Sequence, residues 1–176
     1  MRAVSPVHLV VMGVSGTGKT TVAAALVERL GWPCAEGDDF HPESNLTKMR
    51  SGRPLTDEDR LPWLEMLAAW TADQHAKGMS TVLTCSALRR GARDLLRSGA
   101  DGTSFCHLAG DKHELLGRMQ GREHFFPPEL LESQLDTLQP LAPDEDGFVL
   151  DSAAPVTDLV EAVLDQLARR GHPSSR

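Results

Sequence analysis

Eight residues near the start of the chain, Gly13-Val14-Ser15-Gly16-Thr17-Gly18-Lys19-Thr20, have the types and spacing to hold a polyphosphate. They fit G-x-x-x-x-G-K-[ST] in full. The glycines let successive backbone N–H groups converge on one anion, because a Cβ would block the approach. A helix beginning at Gly18 adds its positive N-terminal end. Lys19 brings a point charge to the β- and γ-phosphates. The Thr20 hydroxyl is a hard oxygen suited to Mg²⁺, and Thr21 follows it in the first turn. The chemistry expected is the binding of a nucleoside triphosphate, ATP, with Mg²⁺.

The surrounding elements are those such a loop demands. Val7–Met12 is a short apolar run rich in β-branched residues and reads as a buried strand. Lys19–Leu30 has apolar residues at helical spacing, stopped by Gly31 and Pro33. A second strand is expected near Pro33–Glu36. A short helix is expected at Pro42–Arg50, then a longer one with Asp59 as N-cap, Pro62 in its first turn, and Trp63, Leu64, Met66, Leu67 and Trp70 facing the core. Further strands are read at Val82–Cys85, Phe105–Leu108 and Phe148–Leu150. Helices are read at Leu88–Leu96, Lys112–Met119, Glu129–Leu138 and from Val156 onward. Strand–helix alternation of this kind predicts an α/β fold, a parallel sheet with helices on both faces.

The second strand ends in Glu36-Gly37-Asp38-Asp39. Carboxylates at the carboxyl edge of a parallel sheet lie where ligands bind. Two apart on extended chain, Glu36 and Asp38 are expected to point the same way. One would hold Mg²⁺ beside Thr20, a role given to Glu36, and the other, Asp38, would orient or deprotonate a substrate hydroxyl. A guanine-reading N-K-x-D is missing: Thr47-Lys48-Met49 lacks the Asp. At 176 residues the chain is small for an ATPase motor and suits a small kinase.

A longer set of residues now carries a resemblance. Gly37-Asp38-Asp39-Phe40-His41-Pro42, Asn45, Lys48-Met49, Ser51-Gly52, Pro54-Leu55, Asp57, Asp59-Arg60 and Pro62-Trp63-Leu64 resemble the signature of the bacterial-type gluconate kinases. So do Cys85-Ser86-Ala87-Leu88-Arg89-Arg90 with Arg93-Asp94, and Arg122–Phe126 with Gln134 and Leu138. The resemblance spans roughly residues 8–165. It implies transfer of the ATP γ-phosphate to the 6-hydroxyl of D-gluconate. It also implies a three-layer P-loop kinase fold of the shikimate- or adenylate-kinase type, with a five-stranded parallel sheet, a mobile lid at approximately 111–138, and a homodimer. Residues 1–168 would form the single domain and 169–176 a flexible tail. Two departures stand out: Glu36 where some relatives carry Asp, and Glu123 where relatives often carry Gly.

Gluconate is an anion with a row of hydroxyls. Arg suits its carboxylate because the planar guanidinium can bind it bidentately. Arg50, Arg53, Arg60, Arg89 and Arg90 are candidates, with Arg53 and Arg89 favoured. Ser86, His41 and His124 would serve the acceptor. His41 has a second reading as a loop-fixing residue, and Lys48, also assigned to substrate, a second reading as part of a solvated helix face with Arg50. Lys19, Asp38, Arg118 and Arg122 form the catalytic set, the two arginines lying four apart in the expected lid and spreading charge over the phosphates. Phe125 and Phe126 would pack that lid. Arg118 and Pro155, in the turn Asp151–Pro155, would border the nucleotide.

The formal charge of −7 excludes bulk nucleic-acid binding and requires a local basic cluster for any anionic substrate. No apolar run approaches the ~20 residues of a membrane span, and the start lacks a signal-peptide core, so the expected location is the cytoplasm, away from membranes. Cys34, Cys85 and Cys106 form no CxxC pair and are expected to be buried and reduced. Two other readings stay open: the same fold with a different acceptor such as shikimate, and a nucleotide-dependent binding or switch protein with no acceptor.

Overall fold

The run His8–Met12 forms β1, buried at every position, and the rest of the chain is arranged around it. The computed structural model describes residues 4–120 and 128–171. Its strands are β1, β2 (Cys34–Glu36), β3 (Thr81–Thr84), β4 (Thr103–Ala109) and β5 (Gly147–Asp151). All pairings are parallel. The order is β2-β3-β1-β4-β5. Val10 in the centre lies opposite Leu83 on one side and Phe105 on the other.

Successive side chains of a strand face opposite ways, which splits β1 between two cores. Leu9 and Val11 join Val22, Ala23, Leu26 and Leu30 of α1 (Lys19–Leu30) and the apolar stripe Leu159, Val160, Val163, Leu164 and Leu167 of α7 (Val156–Arg169). Val10 and Met12 join Trp63, Leu64 and Leu67 of a 20-residue helix (Asp57–Ala76), together with Leu96 and Phe105. Each such apolar side chain contributes ~2 kcal/mol by leaving water. These two layers of helices and the sheet between them are the expected three-layer α/β architecture.

The remaining helices are α2 (Glu43–Arg50), α3 (the 20-residue helix already described), α4 (Arg90–Gly99), α5 (Lys112–Gln120) and α6 (Pro128–Thr137). Val14, Leu88, Leu115 and Leu131 make a third, smaller cluster that fastens α5 and α6 against the loop after β1.

Several expectations are corrected. Asp59 is not the N-cap of α3. Thr56 is: its hydroxyl accepts from the Asp59 N–H at 3.1 Å, while the Asp59 carboxylate accepts from the Thr56 N–H at 2.9 Å. This reciprocal box satisfies two donors where Asp59 alone would satisfy one. The helix therefore starts at Asp57, and Pro62 falls in its second turn. Met66 is 42% exposed, because the inward stripe runs through Trp63, Leu64, Leu67 and Thr71. α4 begins at Arg90 rather than Leu88, and Leu88 is buried ahead of it. Cys34 is exposed at the start of an edge strand, whereas Cys85 and Cys106 are buried and burial pushes both thiols up to about 12. The last helix includes Arg169, and Arg170 bonds Asp146 and the Ser104 hydroxyl, so the chain is anchored past 169. Residues 172–176 of the expected tail lie outside the described residues. Among the described residues no helix is long and apolar enough to cross a membrane.

Candidate active site

The site opens where β1 ends, at the carboxyl edge of the sheet beside the point where strand order reverses. Gly13 has φ +146, and a Cβ there would lie 2.6 Å from the Leu108 carbonyl oxygen of β4. Only glycine lets the loop turn this close to the neighbouring strand. Gly18, at φ +90, is the N-cap of α1. Lys19 Nζ donates to the carbonyls of Gly13 and Val14, both at 2.9 Å, which folds the ammonium back over its own loop. The Thr17 hydroxyl donates to the Val14 carbonyl at 3.0 Å. The result is a cradle of backbone N–H groups at a helix N-terminus, suited to phosphate.

Beside the cradle, Glu36 Oε1 accepts from the hydroxyls of Thr20 and Thr84, each at 2.7 Å. The two residues expected to serve a metal are thus brought together. Both offer hard oxygens, and no group of three or more His, Cys, Asp or Glu able to hold a metal occurs among the described residues. That donor set fits Mg²⁺, which takes one or two protein oxygens and completes its shell from phosphate and water.

Asp38 arrives by a different route from the one expected. The strand stops at Glu36, and Gly37–Phe40 form a turn of 3₁₀ helix, so strand alternation does not aim Asp38. A Cβ on Gly37 would lie 2.1 Å from the Thr84 carbonyl oxygen. The Gly37 N–H donates to Thr84 Oγ1 at 3.1 Å and its carbonyl accepts from Trp63 Nε1 at 2.8 Å. These contacts fix the turn, and Glu36 and Asp38 still line one cavity. The Asp38 carboxylate is exposed, 4.0 Å from His41 Nε2.

That cavity has a volume of about 450 Å³. Ser15, Gly16, Gly18, Lys19, Thr20 and Thr21 line its phosphate end, and His41, Arg50, Arg60, Trp63 and Ser86 line the rest with the two carboxylates. His41 is stacked on Trp63, with ring centroids 4.0 Å apart and planes at 17°, and its Nδ1 lies 3.3 Å from Asn45 Nδ2. Burial holds the His41 imidazole below its ordinary pKa. The residue thus fixes its loop and faces the cavity at once.

The basic candidates divide. Arg50 and Arg60 line the cavity, and Arg60 lies 3.3 Å from Asp57 Oδ1. Lys48, Arg53 and Arg89 do not line it. Lys48 Nζ is held by Asp59 at 2.6 Å, a bond that lowers the Asp59 carboxyl to about 2. Arg53 Nε donates to Ser51 Oγ at 3.1 Å on the surface. Arg89 lies 3.5 Å from Asp57 and borders an adjoining cavity of about 390 Å³, which shares Arg60, Trp63 and Ser86 with the first. Arg90 is paired with both oxygens of Asp144, at 2.8 and 2.7 Å.

Arg118 bridges the phosphate loop and the turn after β5, donating to the Gly16 carbonyl at 3.4 Å and the Ser152 carbonyl at 2.9 Å. Pro155 ends that turn as the N-cap of α7. Arg122, Glu123, His124, Phe125 and Phe126 lie outside the described residues.

Two groups of residues escape a residue-by-residue reading. Gln134 of α6 reaches the phosphate loop, its Oε1 accepting from the Ser15 N–H at 2.7 Å. Arg93 is fully buried, forms two bonds to Glu145, and donates to the carbonyls of Ala87 and Leu88. It thereby holds Ala87 at φ +47, in the loop that presents Ser86. Arg93 holds the Glu145 carboxyl down at about 2. The sole signal for either group was the resemblance, which included Gln134 and Arg93 without giving them work.

Residues 9–141 match the model of a family described as AAA domain. A curated gluconokinase from Gluconobacter oxydans is 52% identical over 141 residues, 80% of this chain and 79% of that protein. The crystal structure of an unliganded sugar kinase from Janibacter superposes with a TM-score of 0.90 at 47% identity, covering 97% of this chain and 99% of that one. A shikimate kinase from Aquifex aeolicus, at 16% identity, shares the fold with a TM-score of 0.59 over 93% of this chain and 98% of its own.

Proposed function

The chain belongs to the gluconokinase family, and we propose that it transfers the γ-phosphate of ATP to the 6-hydroxyl of D-gluconate, giving 6-phospho-D-gluconate and ADP. The observation that carries this reading is one continuous cavity that joins the amide cradle and Lys19 to Asp38 and to two arginines. Phosphoryl transfer is mostly positioning and charge stabilisation, and a cleft of that composition supplies both.

In the proposed mechanism the loop amides and Lys19 hold the triphosphate. Asp38 accepts the proton of the sugar-acid hydroxyl as its oxygen attacks the γ-phosphorus, and the bond from that phosphorus to the β-bridging oxygen breaks to release ADP. Ser86 and His41 bind hydroxyls. Arg60 and Arg50 meet the carboxylate in preference to Arg53 and Arg89, because they line the cavity. Arg118 borders the nucleotide. Thr20 and Glu36 would hold Mg²⁺, which supplies charge neutralisation at the phosphates. Closure of residues 111–138 over the phosphates and a homodimer belong to the same reading and rest on the sequence resemblance, and a cytoplasmic location belongs to it on the hydropathy pattern of the chain.

The test is ADP release by the purified chain over a panel of sugar acids and shikimate. Release stimulated by D-gluconate, with a phosphorylated aldonate as product, is expected. Stimulation by shikimate alone would move the acceptor, and release indifferent to every acceptor would remove the kinase reading.

A further inference from the structure

We propose that Gln134 reads the γ-phosphate, keeping Oε1 on the Ser15 N–H while its Nε2 donates to an oxygen of the phosphoryl group in transit. The inference rests on the reading of the loop as an ATP site. Ser15 is the third residue of that loop, and its N–H belongs to the set that faces the phosphates. In the structure that donor already has an acceptor, Gln134 Oε1 at 2.7 Å. The other half of the carboxamide carries two N–H donors, and among the described residues no group accepts from them. Gln134 lines the same cavity as Ser15, Lys19 and Thr20. A neutral donor tied to the loop by its own carbonyl is therefore aimed at the space a polyanion would fill.

The side chain is well placed to do this. Leu131, one helical turn before Gln134, is fully buried against Val14, Leu88 and Leu115. That packing seats α6 on the loop in this structure, so Gln134 reaches Ser15 from a docked helix. On the other side Arg118 donates to the Gly16 carbonyl. The loop is gripped at Ser15 by α6 and at Gly16 by α5. A preorganised donor at the position where charge shifts during transfer stabilises the transition state without reorganising.

The discriminating property is the γ-phosphate itself. Calorimetry without gluconate would compare ADP with a non-hydrolysable β,γ-imido ATP, using wild type, Gln134→Ala and Gln134→Glu. Loss of a charge-assisted donor bond predicts about tenfold weaker binding of the ATP analogue by Gln134→Ala, with ADP affinity unchanged within about twofold. Gln134→Glu keeps an oxygen for Ser15 and puts a carboxylate against the phosphate, so it should weaken the analogue further at an unchanged melting temperature. Gluconate-dependent kcat should fall in the same order. Equal weakening of both nucleotides, or of neither, overturns the role of Gln134 alone. A wild-type chain that binds neither nucleotide overturns the ATP site and this inference together.

Discussion

At the phosphate end of the cleft the ligands are backbone amides held by φ +146 at Gly13 and φ +90 at Gly18, and Lys19 rests on carbonyls of its own loop. At the acceptor end the lining groups are side chains, and some are already engaged: Arg60 with Asp57, and His41 against Trp63. The first end is a conformation written into eight consecutive residues. The second is a set of partnerships that exists only after α2, α3 and the loop after β3 have packed. A triphosphate thus meets a loop whose shape is set locally, though it must draw Lys19 from two carbonyls, whereas a sugar acid must compete with an ion pair of packed helix side chains.

The sharpest way to break the comparison is to remove one group from each end. Lys19→Met should lower turnover by roughly 10³-fold and weaken ATP, since a preorganised charge over the phosphates is lost. Asp38→Asn should lower turnover by roughly 10²-fold and leave ATP affinity close to wild type, because in the proposed mechanism its carboxylate acts on the acceptor. Kinase assays paired with nucleotide titrations check both. If Asp38→Asn weakened ATP as much as Lys19→Met, the two ends would not be separable.

The same contrast explains what the sequence could tell. The strand–loop–helix around Gly13–Thr20 was legible because glycine, lysine and threonine spacing dictates the geometry locally. The alternation of strands and helices gave the sheet for a similar reason, periodicity being a local property. Asp38 reached the cavity, but through a 3₁₀ turn fixed by Thr84 and Trp63, partners far away in sequence. The choice among arginines was illegible, since Arg53 and Arg60 are chemically alike and only packing decides which one lines the cavity. The N-cap of α3 is not legible because Asp59 and Thr56 are both good caps, and only the folded chain shows the reciprocal pair between them.

Acid tests the fold at a point remote from the phosphate loop. At the far end of β1, His8 Nδ1 lies 2.8 Å from Thr81 Oγ1 and Nε2 lies 2.9 Å from His75 Nδ1. Burial, then the neighbouring His75, lowers the His8 pKa from 6.5 to about 4. The unfolded chain takes up the proton first, so this stability is complete above pH 6.5 and declines as the pH falls toward 4. Burial lowers His41 and His107 too, and both act in the same direction. Melting temperature should therefore drop between pH 7 and pH 5, and His8→Gln should flatten part of the drop. A variant as acid-sensitive as wild type would place the effect at the other two histidines.

The smallest expected effect is also the most specific to the acceptor end. Arg60 is half-buried, lines the cavity and is balanced by Asp57, whereas Arg53 lies at the surface with its Nε on Ser51. If a carboxylate of the acceptor replaces Asp57 as a partner of Arg60, Arg60→Ala should raise the KM for gluconate about tenfold, the cost of one charge-assisted bond. The KM for ATP should stay put. Arg53→Ala should change either constant by less than about twofold, as an exposed guanidinium bound to a neighbouring hydroxyl has little to lose. The opposite ranking would mean that the loop carrying Arg53 moves into the cleft when the acceptor binds. The acceptor end would then differ from the phosphate end in mobility as well as in the kind of group that does the binding.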